Sequence, residues 1–237
     1  LGRETHGLMN YPFRTALLDF LRGGDAAVFR ERMEELREHY PAPAYYGAMN
    51  FLSTHDTPRL LTLLGHEGDA PATRDERAAY RLSGEERARG TALLKLAALI
   101  LYTFPGSPML YYGDEAGMQG FEDPFNRGPY PWGHEDAALL RYFRQLGALR
   151  KAHEALQRGT IDYCAAQGRV LAFRRASNGG KCITAVNAGE QSAALTLPWD
   201  APLAQDALTR QSFFCCDGVL RLTLEPYGAV LLVEPEN

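Results

Sequence analysis

No hydrophobic run in this sequence is long enough to cross a bilayer. The longest, Ala92 to Phe104, is broken by Lys95 and reads as a buried helix. An excess of positive charge is also missing. The 25 basic residues stand against 29 acidic ones, for a net charge of −4, and no basic stripe is interleaved with aromatics. Nucleic acid and anionic membrane are therefore not expected as partners. Cysteine is scarce: Cys164, Cys182, Cys215 and Cys216 all lie in the last third, and no two form a CxxC pair. With no histidine cluster beside them, they read as small buried apolar residues, and neither a metal nor a cofactor is expected. His6, His39, His66, His134 and His153 show no ligand spacing and read as surface or packing residues. No secretory or transit segment opens the chain, so a cytoplasmic location is expected. Nor does it open with Met. It starts Leu1-Gly2-Arg3, and we expect it to be part of something longer.

What is present suffices for a real core. Of 237 residues, 46% are apolar and 23% charged, ordinary values for a globular protein of one or two domains. Thr15 to Leu21 has helical spacing and stops at Gly23-Gly24. Asp25 can cap a second helix, with apolar residues at Phe29, Met33, Leu36 and Tyr40, ended by Pro41 and Pro43. Ala44 to Leu52 reads as a buried strand, and Arg59 to Leu64 as a short helix closed by Gly65. His66 to Leu82 is polar and aperiodic and reads as a loop. Ser83 and Glu86 form a capping box for a helix that becomes apolar on nearly every face. Met109 to Tyr112 reads as a short strand. The loop after it, rich in Gly, Pro and aromatics, runs to Trp132, a length that in a compact domain is usually functional. The next helix carries a stripe at Leu139, Phe143, Leu146, Leu149, His153 and Leu156.

Past Gly159 the period changes from helical to alternating. Val170–Arg175, Cys182–Asn187, Ala193–Leu197, Val219–Leu224 and Ala229–Val233 read as strands, and Asn178-Gly179-Gly180 as a hairpin turn. Alternating β–α units followed by a block of strands predict two domains, 1–157 and 158–237.

One stretch, Met49 to Arg59, stands out. An apolar run ends in the adjacent pair His55-Asp56, with Thr57 as an N-cap candidate and Pro58 suited to a first helical position. A buried strand that hands such a pair to a helix suits the functional rim of an α/β barrel. Taken alone, the pair reads more readily as a helix cap beside a packing histidine than as a functional pair.

Four segments decide between these. They are Gly7 to Phe13, Phe51 to Arg59, Phe104 to Glu115 and Asp123 to Trp132, with Leu224 to Ala229 near the end. In order and spacing they resemble the C-terminal portion of the α-amylase family, glycoside hydrolase family 13, in particular its neopullulanase, cyclomaltodextrinase and α-glycosidase branch. The resemblance covers essentially the whole chain. It implies α/β plus all-β architecture: units six to eight of a (β/α)8 TIM barrel, then an antiparallel β-sandwich.

By the same resemblance the function is that of a C-terminal segment of a retaining hydrolase of α-1,4 or α-1,6 linked glucans and maltooligosaccharides. The nucleophilic Asp and the acid/base Glu of such an enzyme would lie upstream of Leu1, since no segment here looks like either; Glu4 is nearest but has no family context. The fragment alone is then expected to be inactive. Asp56 resembles the third family carboxylate, which grips sugar hydroxyls at the transition state, and His55 would donate to the same hydroxyls. Asp123 and Arg127 resemble a pair that binds a neighbouring glucose, although Gly128 stands where the family more often has a basic residue. Tyr11, Asn50 and Arg59 are expected to support or line the pocket and count as substrate-binding candidates. Asp114 and Glu115 are expected to anchor the last barrel loop. The partners implied are an α-glucan oligosaccharide, the missing N-terminal part of the chain, and other copies of the fragment, by self-association. Two rivals share these motifs: a glucan transferase or isomerase of the same family, and a non-catalytic amylase-like binding or assembly subunit.

Overall fold

The computed structural model describes residues 7–235; Glu4, His6 and the opening Leu1-Gly2-Arg3 lie outside them. Three parallel segments lie side by side. Met9 bridges Met49, and β1 (Met49–Asn50) pairs with β2 (Ser107–Pro108). Each is followed by helix. Met9 leads to α1 (Tyr11–Leu21) and α2 (Ala26–His39). After β1 come α4 (Leu60–Gly65), α5 (Arg74–Ala79) and α6 (Gly84–Thr103), and after β2 comes α7 (Ala137–Ala152). A short α3 (Ala42–Tyr46) precedes β1, and α8 (Glu154–Arg158) closes the helical part.

Local chemistry starts these helices. Asn10 accepts from the Phe13 N–H at 3.1 Å to open α1, and Asp25 accepts from Ala27 at 2.7 Å to open α2. The predicted Ser83–Glu86 capping box opens α6. Helix α6 is buried from Leu93 and Leu94 through Leu96 to Leu101, because it is walled in by α4, α7 and the sheet of the second part. A helix apolar on every face is one with neighbours on every face.

Several local expectations are corrected. Ala44 to Leu52 is not one strand, because Pro41 starts α3 and only Met49–Asn50 pairs. Thr57 does not cap α4; its hydroxyl accepts from the Thr54 N–H at 2.9 Å inside a turn, and the helix starts at Leu60. The segment from His66 to Leu82 contains α5, opened by a second capping box of Thr73 and Glu76. The strand expected at Met109–Tyr112 lies earlier, at Ser107–Pro108, and its last bond is from the Met109 N–H to the Asn50 carbonyl at 2.7 Å. The final helical stripe is two helices, broken at His153, whose backbone is extended. Of the cysteines, only Cys182 is fully buried, and Cys216 is exposed.

The remaining residues form an antiparallel sandwich. One sheet has the order β3 (Thr160–Gln167), β4 (Val170–Ser177), β5 (Gly180–Asn187), β10 (Ala229–Val233), β7 (Leu203–Asp206), β8 (Ser212–Phe214). The other pairs β6 (Ala193–Pro198) with β9 (Val219–Leu224). The Asn178-Gly179 turn joins β4 to β5, with Ser177 opposite Gly180, as the turn signal predicts. The larger sheet is covered on both faces. Val230 and Leu232 join Ile183, Trp199 and Leu220 in the sandwich core, while Leu231 and Val233 join Phe173, Leu99 and Phe104 in a core shared with the helices. That shared core explains why β10 is apolar at every position.

Two arginines, Arg175 buried and Arg169 partly buried, rivet the parts together. Arg175 donates to the carbonyls of Thr103 (2.5 Å), Gly159 (2.9 Å), Thr160 (3.1 Å) and Leu156 (3.3 Å). Arg169 donates to those of Phe20, Gly24 (2.8 Å), Leu21 (2.9 Å) and Ala188 (2.7 Å). Carbonyls left over at helix ends are thereby satisfied from the sheet.

Candidate functional site

Because the three strands are parallel, their C-terminal ends share one rim, where such folds carry their chemistry. Asparagines lock that rim. Asn10 donates to Asn50 at 2.9 Å, and Asn50 donates to the Pro105 carbonyl at 2.7 Å, linking all three units. Tyr11, half-exposed, stands beside Phe51 with ring centroids 4.8 Å apart.

Beyond Asn50, Phe51 to Thr54 are buried and the chain then turns outward at His55 and Asp56. The turn is closed by its own threonines: the Asp56 N–H reaches the Thr54 hydroxyl at 3.1 Å. The side chains of His55 and Asp56 are 61% and 63% exposed, with His55 Nε2 3.3 Å from Asp56 Oδ1. Arg127, from the loop after the third strand, comes to 3.7 Å from the same Asp56 oxygen and holds Asp123 at 3.0 Å. Four of the predicted residues therefore form one continuous line, His55–Asp56–Arg127–Asp123, although the two pairs lie in different loops. The Asp123–Pro124 peptide bond is cis. Open carboxylates, a guanidinium and an imidazole at this spacing offer acceptors and donors to a polyhydroxyl ligand.

Asn50 and Arg59 have no exposed surface. Both are expected from the sequence to support or line the pocket; here their side chains are enclosed and bond to other parts of the chain. Arg59 lies over the Tyr111 and Tyr112 rings, whose centroids are 4.4 and 4.5 Å from the guanidinium carbon. It donates to the Tyr112 carbonyl and lies 3.9 Å from Asp114. Asp114 accepts from the Ser53 hydroxyl and is enclosed; burial pushes its carboxyl up to about 7, with Ser53 and Arg59 pulling the other way. Glu115 accepts from the Gly113 N–H at 2.8 Å. Both acids anchor the last loop, as expected.

That loop is held from a second side. The Gly120 carbonyl accepts from the Arg59 N–H at 2.9 Å, and its N–H donates to the Thr62 hydroxyl at 2.9 Å. A Cβ at residue 120 would run into the Phe125 carbonyl, so only glycine fits. Phe121 packs edge-on against His66 and Tyr80 at 5.4 and 5.2 Å. His66 and Tyr80 both reach Glu86, and these bonds with the Ser83 cap hold its carboxyl down to about 2.

Sequence reasoning missed the buried Asn126 and the Ser53–Asp114 pair. Both lie inside the quoted motifs, but nothing in their spacing marks them as enclosed. Among the described residues, no group of three or more His, Cys, Asp or Glu is arranged to hold a metal ion.

Comparison with known proteins fits this geometry. The family description "Alpha amylase, catalytic domain" matches residues 2–137, and "Maltogenic Amylase, C-terminal domain" matches residues 165–231. The chain is similar to the cyclomaltodextrinase of Geobacillus thermopakistaniensis, 33% identical over 97% of this chain and 37% of that protein. It is also similar to the amylopullulanase of Thermoanaerobacter thermohydrosulfuricus, 37% identical over 76% of this chain and 12% of that protein. The chain thus spans well under half the length of these curated relatives. The crystal structure of an Anoxybacillus α-amylase superposes with a TM-score of 0.80 over 98% of this chain and 48% of that one, at 23% identity, a likeness of fold. The match over the catalytic domain covers more than half of the sequence, and the chain belongs to the α-amylase family of glycoside hydrolases.

Proposed function

We propose that the chain carries the sugar-binding and transition-state-stabilising side of a retaining hydrolase that acts on α-1,4 or α-1,6 linked glucans. The observation that carries this reading is the line of contacts His55–Asp56–Arg127–Asp123 on an open rim. Asp56 accepts from hydroxyls beside the reacting carbon, and His55 donates to the same group. Arg127 and Asp123 hold the neighbouring glucose, and Tyr11 offers an exposed ring at the margin. The names of the relatives, cyclomaltodextrinase and amylopullulanase, point to the same substrate class.

Retaining hydrolysis also needs a nucleophilic carboxylate and a proton-donating carboxyl. In this reading both belong to preceding barrel units, which seat along the Met9 edge. An apolar groove of about 700 Å³, lined by Leu8, Met9, Pro41, Tyr45 and Ala48, runs along that edge. The barrel part and the sandwich part divide near residue 157.

Titration of the purified chain with maltoheptaose, read by NMR, tests the assignment. Shifts centred on residues 55, 56, 123 and 127 are expected, with no product on chromatography. Sustained turnover would mean that both missing carboxyls lie within this chain and would overturn the reading.

A further inference from the structure

Asn126 touches both halves of the site without facing solvent. It sits in the short 3-10 turn Phe125–Arg127 and is 0% exposed. Its Nδ2 donates to the His55 carbonyl at 2.7 Å and to the Thr57 carbonyl at 2.9 Å. Those two carbonyls flank Asp56. Both hydrogens of one amide are therefore committed to the backbone that presents Asp56, while the next residue in the chain is Arg127. The bonds within the Thr54–Thr57 turn are local and set its shape, not its place against the neighbouring loop. Nor does packing hold the Asp56 side chain, which is mostly exposed. Asn126 Oδ1 is enclosed with no hydrogen-bond partner, a cost that the two Nδ2 bonds must offset.

We propose that Asn126 is a positioning residue: a two-point strut that sets the Asp56-to-Arg127 separation. Its effect on sugar binding rests on the functional reading above; its effect on the Asp56 turn does not. Two bonds fix orientation as well as distance, where a single bond would leave a swivel. The chemistry is specific to a donor pair, because carbonyls only accept. Asn126→Asp keeps the shape but sets acceptors against acceptors, and protonation of that carboxyl at low pH restores one donor.

The test is amide hydrogen exchange by NMR on this chain, its Asn126→Ala variant and its Asn126→Asp variant, with maltoheptaose affinity measured in parallel. Exchange at residues 54–57 should rise by about tenfold or more in both variants, while amides of β4 and β5 stay unchanged. Maltoheptaose should bind at least several-fold more weakly. Lowering the pH through the carboxylate range should restore part of the protection in Asn126→Asp and none in Asn126→Ala. Unchanged exchange at 54–57, or a uniform rise across the molecule, would overturn the proposal. If the unsubstituted chain fails to bind maltoheptaose, the sugar reading falls and the exchange pattern still decides the role of Asn126. Should the variants not fold, the Nδ2 protons of the unsubstituted chain decide: slow exchange supports the strut, and exchange as fast as that of exposed Asn178 refutes it.

Discussion

Ser53 donates its hydroxyl to the carboxyl of Asp114, joining two loops 61 residues apart in a pocket sealed from solvent. The pair ties the strand that leads to His55-Asp56 to the loop that leads to Asp123 and Arg127. Burial lifts the Asp114 carboxyl from its ordinary 3.8 to about 7. Between those values the folded chain keeps a proton that the unfolded chain has released. Stability from this group is therefore full below about pH 4 and falls as pH rises toward 7. Asp114→Asn removes that titration. Urea unfolding at pH 4, 5.5 and 7 should show the wild type losing ground to the variant by up to about 4 kcal/mol. A constant difference across the range would show that Asp114 does not hold a proton in the fold.

Glu86 titrates the other way. Its carboxyl is held down to about 2 by Tyr80, Ser83 and His66, so its contribution is present above about pH 4.5 and is lost as pH falls toward 2. Glu86→Gln should flatten the acid limb of the melting profile. It should also loosen the Phe121 contact, visible as faster exchange around residues 119–122. An acid limb identical to wild type would remove Glu86 from the account.

Asp56 and Asp123 should separate kinetically once the chain is joined to the upstream units proposed above. Asp56→Asn should lower kcat far more than it raises KM, by on the order of several kcal/mol of barrier, because its contact tightens in the transition state. Asp123→Ala should weaken longer maltooligosaccharides and spare the shortest. Small, equal effects from both would leave His55-Asp56 as part of an exposed turn with no role in sugar binding.

Arg175 donates to four carbonyls and is fully buried, and desolvation lowers its guanidinium to about 10. Arg175→Leu should cost roughly 3–5 kcal/mol in denaturant unfolding, since the orphaned carbonyls at the ends of α6 and α8 stay enclosed. A loss under about 1 kcal/mol would show that water reaches them instead.

The parallel sheet ends in strand edges at Met9 and β2, and Leu8, Tyr11, Leu110, Tyr112 and Trp132 are exposed. Unpaired edges template further strands, and apolar patches drive association. Sedimentation at micromolar concentration should therefore show species larger than the monomer. A cooperative, monodisperse monomer would mean that the edges are protected some other way.

Much of this molecule was legible before any coordinates. Asp25, Ser83–Glu86 and Asn178-Gly179 mark their helix starts and hairpin because capping and turn chemistry act within a few residues. The strands that alternate or are apolar throughout were found, whereas β3, β7 and β8 were not; β8 is three residues long and half-exposed, too short to show a period. Short parallel strands failed for a related reason. Two residues at Met49–Asn50 and two at Ser107–Pro108 are defined by their partners rather than by their own composition.

At the site the same division holds. His55, Asp56, Asp123 and Arg127 could be named as candidates from motif order, because a residue proposed to bind a sugar must carry donors or acceptors. That Arg127 would reach Asp56 could not be read, since the two lie in loops from different strands and only their parallel packing brings the loops together. Burial decided the fate of Arg59 and Asn50, whose side chains have the chemistry of ligands but no path to solvent. Local sequence thus determined which helices begin where, which strands alternate and which residues carry donors and acceptors. Tertiary structure alone decided which of those groups face the rim and which are spent holding it, because burial and long-range contact depend on neighbours that no local pattern contains.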